Sequence, residues 1–332
     1  MILPQRIFIT GGAGFIGSHL VDRSISTSTA IMTVYDNFSS GRMWHLEPHL
    51  KSSRVQIVRG DIKDLKTLTG AMRGHDVVYH LASNPDIAKA GEQPDIDFWE
   101  GTYLSQNILE AMRVNGAKKI IYASGSGVYG DTGETPVAED RAPMLPISTY
   151  GASKLAGEAL ICAYSHMFDV VGRVYRFANV VGPRQTHGVA FDFVRRLKED
   201  PTRLRILGDG KQSKSYIHVD DVLDAITWAD ERSPERFDVF NVATDDYVTV
   251  TEIANMAIEM LGLSAESVEL SYTGGHRGWK GDVPVVRFDL TKIHSMGWRA
   301  KRTSREALWD AMQAILLETS EHGLGTWGDD NG

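Results

Sequence analysis

Along the first 180 residues, short apolar runs alternate with longer amphipathic stretches. The runs lie at Arg6–Thr10, Ile31–Asp36, Val55–Asp61, Asp76–Ala82 and Lys119–Ser124. Each is rich in β-branched or aromatic residues and ends in polar or glycine-rich positions, the pattern of strands. Between them, Phe15–Ser24, Leu65–Arg73 and Gly101–Asn115 repeat their apolar positions at helical spacing. Tyr150–Met167 reads as a further helix and Val170–Phe177 as a sixth strand. Near-continuous apolar strands separated by helices predict an α/β fold, a doubly wound parallel sheet covered on both faces.

After Asn179 the pattern loosens. Phe191–Lys198 reads as a helix and Leu207–Gln212 as a glycine turn. Short strands are expected at Tyr216–Val219 and Val239–Val242, with helix Asp221–Ala229 between them. Thr251–Leu261 reads as a helix capped by Thr251, and Thr303–Leu317 as the last helix. The polar segment from Glu318 onward is expected to fray, above all at 326–332. These readings predict one domain over 1–180 with parts of 215–250. A smaller α/β C-terminal domain is expected from 181–214 and 251–325.

Composition narrows the function. The 332 residues carry 35 Lys and Arg against 43 Asp and Glu, a net charge of −8. With no Lys/Arg block, a nucleic-acid or anionic-membrane surface is not expected. A small anionic ligand, which needs only a few local cations, remains compatible. The single cysteine, Cys162, excludes an intrachain disulfide and fits a reducing cytoplasm. No apolar stretch approaches membrane-spanning length, and no signal peptide is expected.

Thr10-Gly11-Gly12-Ala13-Gly14-Phe15-Ile16-Gly17 joins the first strand to the first helix. Its glycines permit a tight turn and let the backbone approach a pyrophosphate, and the helix N-terminus offers unpaired N–H groups. The strand–loop–helix context makes this a Rossmann-type dinucleotide site. Asp36, with Asn37, follows the second strand, where a carboxylate can hydrogen-bond the ribose hydroxyls and would repel a 2′-phosphate. That favours NAD over NADP. Tyr150 and Lys154 are four residues apart, so both lie on one helix face. Lowering a phenol from about 10 to near 7 requires roughly 4 kcal/mol. One ammonium about 4.5 Å away contributes about 3–4 kcal/mol at an effective dielectric near 20. With the oxidised nicotinamide as a second cation, Tyr150 becomes a usable base.

The combination resembles the extended short-chain dehydrogenase/reductase family, in its NAD-dependent epimerase/dehydratase branch, over nearly the whole chain. It rests on Gly11–Gly17, Asp36, Asp61-Ile62, His80-Leu81-Ala82, Val128-Tyr129-Gly130, Tyr150 with Lys154, Asn179, Gly182-Pro183-Arg184, Tyr216–Asp221 and Arg277–Asp282. The resemblance implies that Asp61 and Ile62 cap the adenine, and that Leu81, Ala82 and Ser83 line the cofactor. Where the family usually carries a catalytic Ser or Thr, this chain has Gly125. Ser126 is expected to replace that hydroxyl and face the sugar, with Ser124 as the second candidate. Dehydratases of the branch carry acids at Ser126 and Gly127, and UDP-glucuronate decarboxylases keep a Glu there. Without them, the expected reaction is 4-epimerisation of a UDP-sugar through a 4-keto intermediate.

In the same resemblance, Arg277 and Lys214 bind the diphosphate or nucleoside, Asp282 the uridine ribose, and Asn179 the substrate phosphate. Relatives often have Arg-Asp where this chain has Lys214-Ser215. Arg184 falls near the sugar C5 substituent and favours UDP-glucuronic acid over UDP-glucose. A homodimer joined by the helices around 101–115 and 150–167 is implied. The alternatives are a dehydratase, decarboxylase or reductase of the same family, and a catalytically silent NAD-sensing protein. His45-Leu-Glu-Pro-His49 spaces two histidines as a metal pair would. Pro48 interrupts such a helix, so a surface loop and no metal site are expected.

Overall fold

The computed structural model describes residues 5–321, which divide into two compact units. The first takes in the described residues up to Val128, then Thr149–Arg176 and Asp230–Phe240. The second takes in Tyr129–Ser148, Phe177–Ala229 and the described residues from Asn241 onward.

The first unit is built on a seven-stranded sheet. Its strands are β1 (Arg6–Thr10), β2 (Ile31–Asp36), β3 (Val55–Arg59), β4 (Val77–His80), β5 (Lys119–Gly125), β6 (Val171–Phe177) and a last strand, Phe237–Val242. Their order is Phe237–Val242, β6, β5, β4, β1, β2, β3. β1 pairs in parallel with both β2 and β4. The strand order therefore reverses between β1 and β4, and the crevice beyond their carboxyl ends is where such sheets hold ligands. Helices α1 (Phe15–Thr27), α2 (Leu65–Ala71), α3 (Tyr103–Asn115) and α4 (Thr149–Phe168) connect the strands. Phe8, Val78, Ile108, Ile120 and Val174 are fully buried in one apolar cluster beside the sheet. Each such side chain contributes about 1.5–3 kcal/mol on burial, which sets this register against slippage.

The second unit packs helices Val189–Glu199, Val250–Met260 and Ser304–Glu321 around Phe193, Leu204, Ile253 and Leu308. Strand Asn179–Val181 pairs in parallel with Tyr216–His218, and Arg203–Ile206 with Glu269–Tyr272. The helix expected to be capped by Thr251 starts earlier. Thr249 is its N-cap and forms a reciprocal capping box with Glu252, while the Thr251 hydroxyl donates to the Gly210 carbonyl. Glu318–Glu321, expected in the frayed tail, complete the last helix, and 326–332 lie outside the described residues.

The division also differs from the expected boundary near 180. Segment 129–148 packs within the second unit, where the Tyr129 hydroxyl donates to Asn241 Oδ1 at 2.7 Å and Arg287 pairs with Glu134 at 2.8 Å. Residues 215–229 also belong there, and only 230–240 return to the sheet unit.

Candidate active site

The glycine loop leaves β1 with Gly11 at φ +70°, a conformation glycine adopts without strain. A Cβ at Gly11 would stand 2.8 Å from the Ala82 backbone N, so the loop packs directly on the chain leaving β4. Gly14 is the N-cap of α1 and has no side chain to cap it; the first turn carries no acidic residue. The N–H groups opening the helix at Phe15, Ile16 and Gly17 thus suit an anion, as a pyrophosphate requires.

Asp36 is buried at the end of β2. Its Oδ2 accepts from Ala13 N at 2.9 Å and its Oδ1 from Phe38 N at 2.8 Å, while burial pushes its pKa upward. The carboxylate therefore braces both the glycine loop and the turn after β2. Asn37 is exposed and accepts from Ser39 N. Asp61 accepts from Lys63 N at 2.8 Å. Ile62, 6% exposed, belongs to the apolar cluster of the sheet unit, so core packing accounts for its side chain.

The pair on α4 sits at the carboxyl end of the sheet. The Lys154 ammonium is buried, donates to the Ala123 carbonyl at 2.8 Å, and lies 5.5 Å from the centre of the Tyr150 ring. Burial lowers the Lys154 pKa to about 8, against the opposing charges of Glu158 and Asp97. Burial likewise raises Tyr150 to about 12, countered by a hydrogen bond with the Ser83 hydroxyl. The Lys154 ammonium is thus a cation already in place beside a phenol whose ionisation burial opposes. His80, at the end of β4, is held neutral, its pKa lowered to about 3 by burial and by the Lys154 charge.

Ser124 does not face this pair as a free hydroxyl. It is buried and donates to Glu158 Oε1 at 2.5 Å, and Glu158 in turn pairs with Arg176 at 2.6 Å. The hydroxyl of the second candidate is therefore already committed to a buried carboxylate. Ser126 opens the short helical turn Ser126–Tyr129 and is partly exposed.

In the second unit, Lys214 and Arg277 converge on Asp282. Lys214 Nζ donates to Asp282 Oδ1 at 2.7 Å, and Arg277 Nη1 to the Asp282 carbonyl at 3.2 Å. Asp282 Oδ2 accepts from Gly278 N at 3.0 Å. Asp282, expected on the ribose, thus has both carboxylate oxygens engaged and organises the two cations. Arg277 also pairs with Asp131 at 2.6 Å. Asn179 is exposed, and its Nδ2 donates to the Ser215 carbonyl at 3.3 Å. Arg184 has φ +63°, and its backbone N–H donates to both oxygens of Glu318 at 2.9 Å.

Sequence reasoning missed three buried groups. Asp97 accepts from Asn84 Nδ2 at 2.8 Å and from the Thr149 hydroxyl at 2.6 Å. Glu158 and Arg176 form the ion pair under α4. Glu158 had a signal, lying four residues beyond Lys154 on the same helix face; Asp97 and Arg176 had none. His45, expected in a surface loop, is buried in the helical turn Met43–His49 and donates from Nδ1 to the Ala13 carbonyl at 2.7 Å. His49 instead pairs with Asp22. Among the described residues, no group of three or more His, Cys, Asp or Glu could hold a metal ion. Among them, too, no helix is long and apolar enough to cross a membrane.

Residues 7–243 match the model of the NAD dependent epimerase/dehydratase family. A UDP-glucose 4-epimerase from Mycolicibacterium smegmatis is 31% identical over 314 residues, 92% of this chain and 96% of that protein. A crystal structure of a UDP-galactose 4-epimerase superposes with a TM-score of 0.84 at 36% identity, covering 95% of this chain and 99% of the other. A UDP-glucuronic acid 4-epimerase from Bacillus cereus, in complex with UDP-glucuronic acid and NAD, gives a TM-score of 0.84 at 26% identity. There the coverage is 94% and 99%.

Proposed function

Because the chain belongs to the NAD dependent epimerase/dehydratase family, we propose that it is a UDP-sugar 4-epimerase that keeps NAD bound. The observation carrying this reading is the pairing of Tyr150 with the buried Lys154 ammonium, in a unit that also has an uncapped helix N-terminus after its glycine loop, with no carboxylate at Ser126 or Gly127. Bound NAD supplies a reversible hydride acceptor for the sugar C4. Gly11, Gly14 and the opening N–H groups of α1 hold its pyrophosphate, Asp36 its ribose, and Leu81, Ala82 and Ser83 the adjoining wall. Lys154 keeps a positive charge beside Tyr150, and Tyr150 takes the O4 proton and later returns it to the opposite epimer. With no acid at Ser126–Gly127, the chain lacks the groups that elimination of water across C5–C6 demands.

Lys214 and Arg277 take the diphosphate, in the geometry that Asp282 fixes. UDP-glucuronic acid is the preferred substrate in this reading, with Arg184 facing its carboxylate as a charge-assisted partner. The enzyme works as a homodimer in a reducing cytoplasm. Exposed Val114 and Met167, near the ends of α3 and α4, support a partner surface on those helices. The test is incubation of the purified protein, with no cofactor added, with UDP-glucuronic acid or UDP-glucose, followed by separation of the C4 epimers. Formation of the galacto epimer supports the reading. A stable keto product or release of CO2 in its place refutes it.

A further inference from the structure

We propose that Glu158 is a positioning residue for the epimerase reaction, locking the end of β5 so that the Ala123 carbonyl holds the Lys154 ammonium beside Tyr150. The inference rests on the epimerase reading. Three observations carry it. The first is a double attachment of α4 to neighbouring residues of β5. Lys154 Nζ donates to the Ala123 carbonyl at 2.8 Å. One helical turn on, Glu158 Oε1 accepts from the Ser124 hydroxyl at 2.5 Å. The second is the anchoring of the carboxylate itself. Arg176 on β6 donates from Nε to Oε1 at 3.0 Å and from Nη2 to Oε2 at 2.6 Å, so both oxygens are fixed by one fork. The third is closeness. The side chains of Lys154, Glu158, Ser124 and Arg176 are all buried. A Cβ at Gly157 would stand 2.5 Å from the Tyr122 hydroxyl, so α4 lies directly on β5. A buried ion pair contributes little net stability, because desolvation offsets most of its attraction. This one ends on the strand residue next to the one that receives the lysine.

The contact at Ala123 is to a neutral carbonyl, whose place depends on the strand that carries it. Glu158 therefore acts on the lysine through β5. Releasing Ser124 lets the end of the strand move, weakens the acceptor, and makes the buried ammonium easier to deprotonate. The charged and titratable groups facing Lys154 are Tyr150 and Glu158 on its own helix, Tyr122 on β5, His80 on β4 and Asp97 ahead of α3. Arg176 stands beyond Glu158 on β6. Tyr150, Tyr122, His80 and Asp97 stay unchanged in the variants that follow.

The test compares wild type, Ser124→Ala, and Glu158→Gln combined with Arg176→Met, each also with Lys154→Met, as purified holoenzymes. Ser124→Ala keeps the ion pair and the combined variant replaces it whole, so neither strands a buried charge. Each is expected to lower kcat about 10-fold on the faster of UDP-glucuronic acid and UDP-glucose, with little change in KM, because a displaced ammonium supports Tyr150 less well. The alkaline decline of the rate should move to lower pH. With Lys154→Met present, neither change should lower kcat further, since the lock acts through the lysine. A second readout needs no turnover. NMR of lysines labelled with carbon-13 at Cε, with Lys154→Met to assign the signal, should show Lys154 titrating at lower pH in both variants. Wild-type kcat and alkaline limb in both variants overturn the lock. So does an equal fold loss with and without Lys154→Met, which would make these residues act independently of the lysine. Either result leaves the epimerase reading intact. An inert wild type overturns the epimerase reading, and the lysine titration then decides the lock alone, shifted if it holds and unshifted if it fails.

Discussion

Replacing Lys154 by Met removes the charge beside Tyr150 while keeping an unbranched side chain of similar length. The ammonium lies 5.5 Å from the centre of the tyrosine ring. At an effective dielectric near 20, that separation is worth about 3 kcal/mol. This corresponds to about two units of phenol pKa. The substitution also strips the donor from the Ala123 carbonyl, at a cost of about 1–3 kcal/mol in stability. The assay is kcat and KM across the pH range, with a thermal melt to show that the variant is folded. If Tyr150 must be ionised to act, the acid limb moves up by about two units and kcat near neutrality falls about 100-fold. The alkaline side gives an independent sign. Burial lowers the Lys154 pKa to about 8, so its charge is present below that pH and lost above it. The wild-type rate should therefore decline as pH rises through about 8, and the variant should lack that decline. An acid limb at the same pH in both proteins, or an unchanged kcat, would refute the electrostatic role of Lys154.

Other residues give further expectations. Glu158→Gln leaves Arg176, 2% exposed, without its counter-charge, and should cost about 3–5 kcal/mol, read as a lower urea midpoint. Glu158→Gln with Arg176→Met should recover most of that loss, because a buried pair replaced as a whole leaves no stranded charge. Gly17→Ala would press a methyl against the Gly11 carbonyl and Gly12 Cα, so the purified variant should carry little or no NAD by its absorbance spectrum. Arg184→Ala should lower kcat/KM for UDP-glucuronic acid about 10-fold or more relative to UDP-glucose, the loss of a charge-assisted pair. Equal effects on the two sugars would remove Arg184 from specificity.

Much of the sheet could be read from the chain because parallel strands covered on both faces are apolar throughout. β1 and β2 run over the residues expected, and Thr10 meets the glycine loop as the motif requires. Tyr150 and Lys154 were legible for a similar reason, since four residues of helix bring them to one face. The capping of helix Val250–Met260 was legible but misread. Thr249 and Glu252 carry the three-residue spacing of a capping box, which Thr251 does not. What the chain hid was long-range. Asn84, Asp97 and Thr149 meet although 13 and 52 residues separate them in turn. Ser124 likewise finds Glu158 and Arg176 only once β5, α4 and β6 are adjacent. Hydrogen bonds among residues far apart in sequence leave no periodic trace, so the bond from Ser124 to Glu158 could not be read from the chain. The segment 129–148 was placed with the wrong unit for the same reason, its partners Asn241 and Arg287 lying about a hundred residues or more away.

The central claim is inversion by reversible hydride transfer within one active site. It is tested most directly by proton NMR of the reaction on UDP-glucuronic acid in deuterated water, with no cofactor added. The account expects the C4 epimer to accumulate with its original hydrogen still on C4, because that hydrogen leaves and returns without meeting solvent. Deuterium at C4 of the epimer would contradict it.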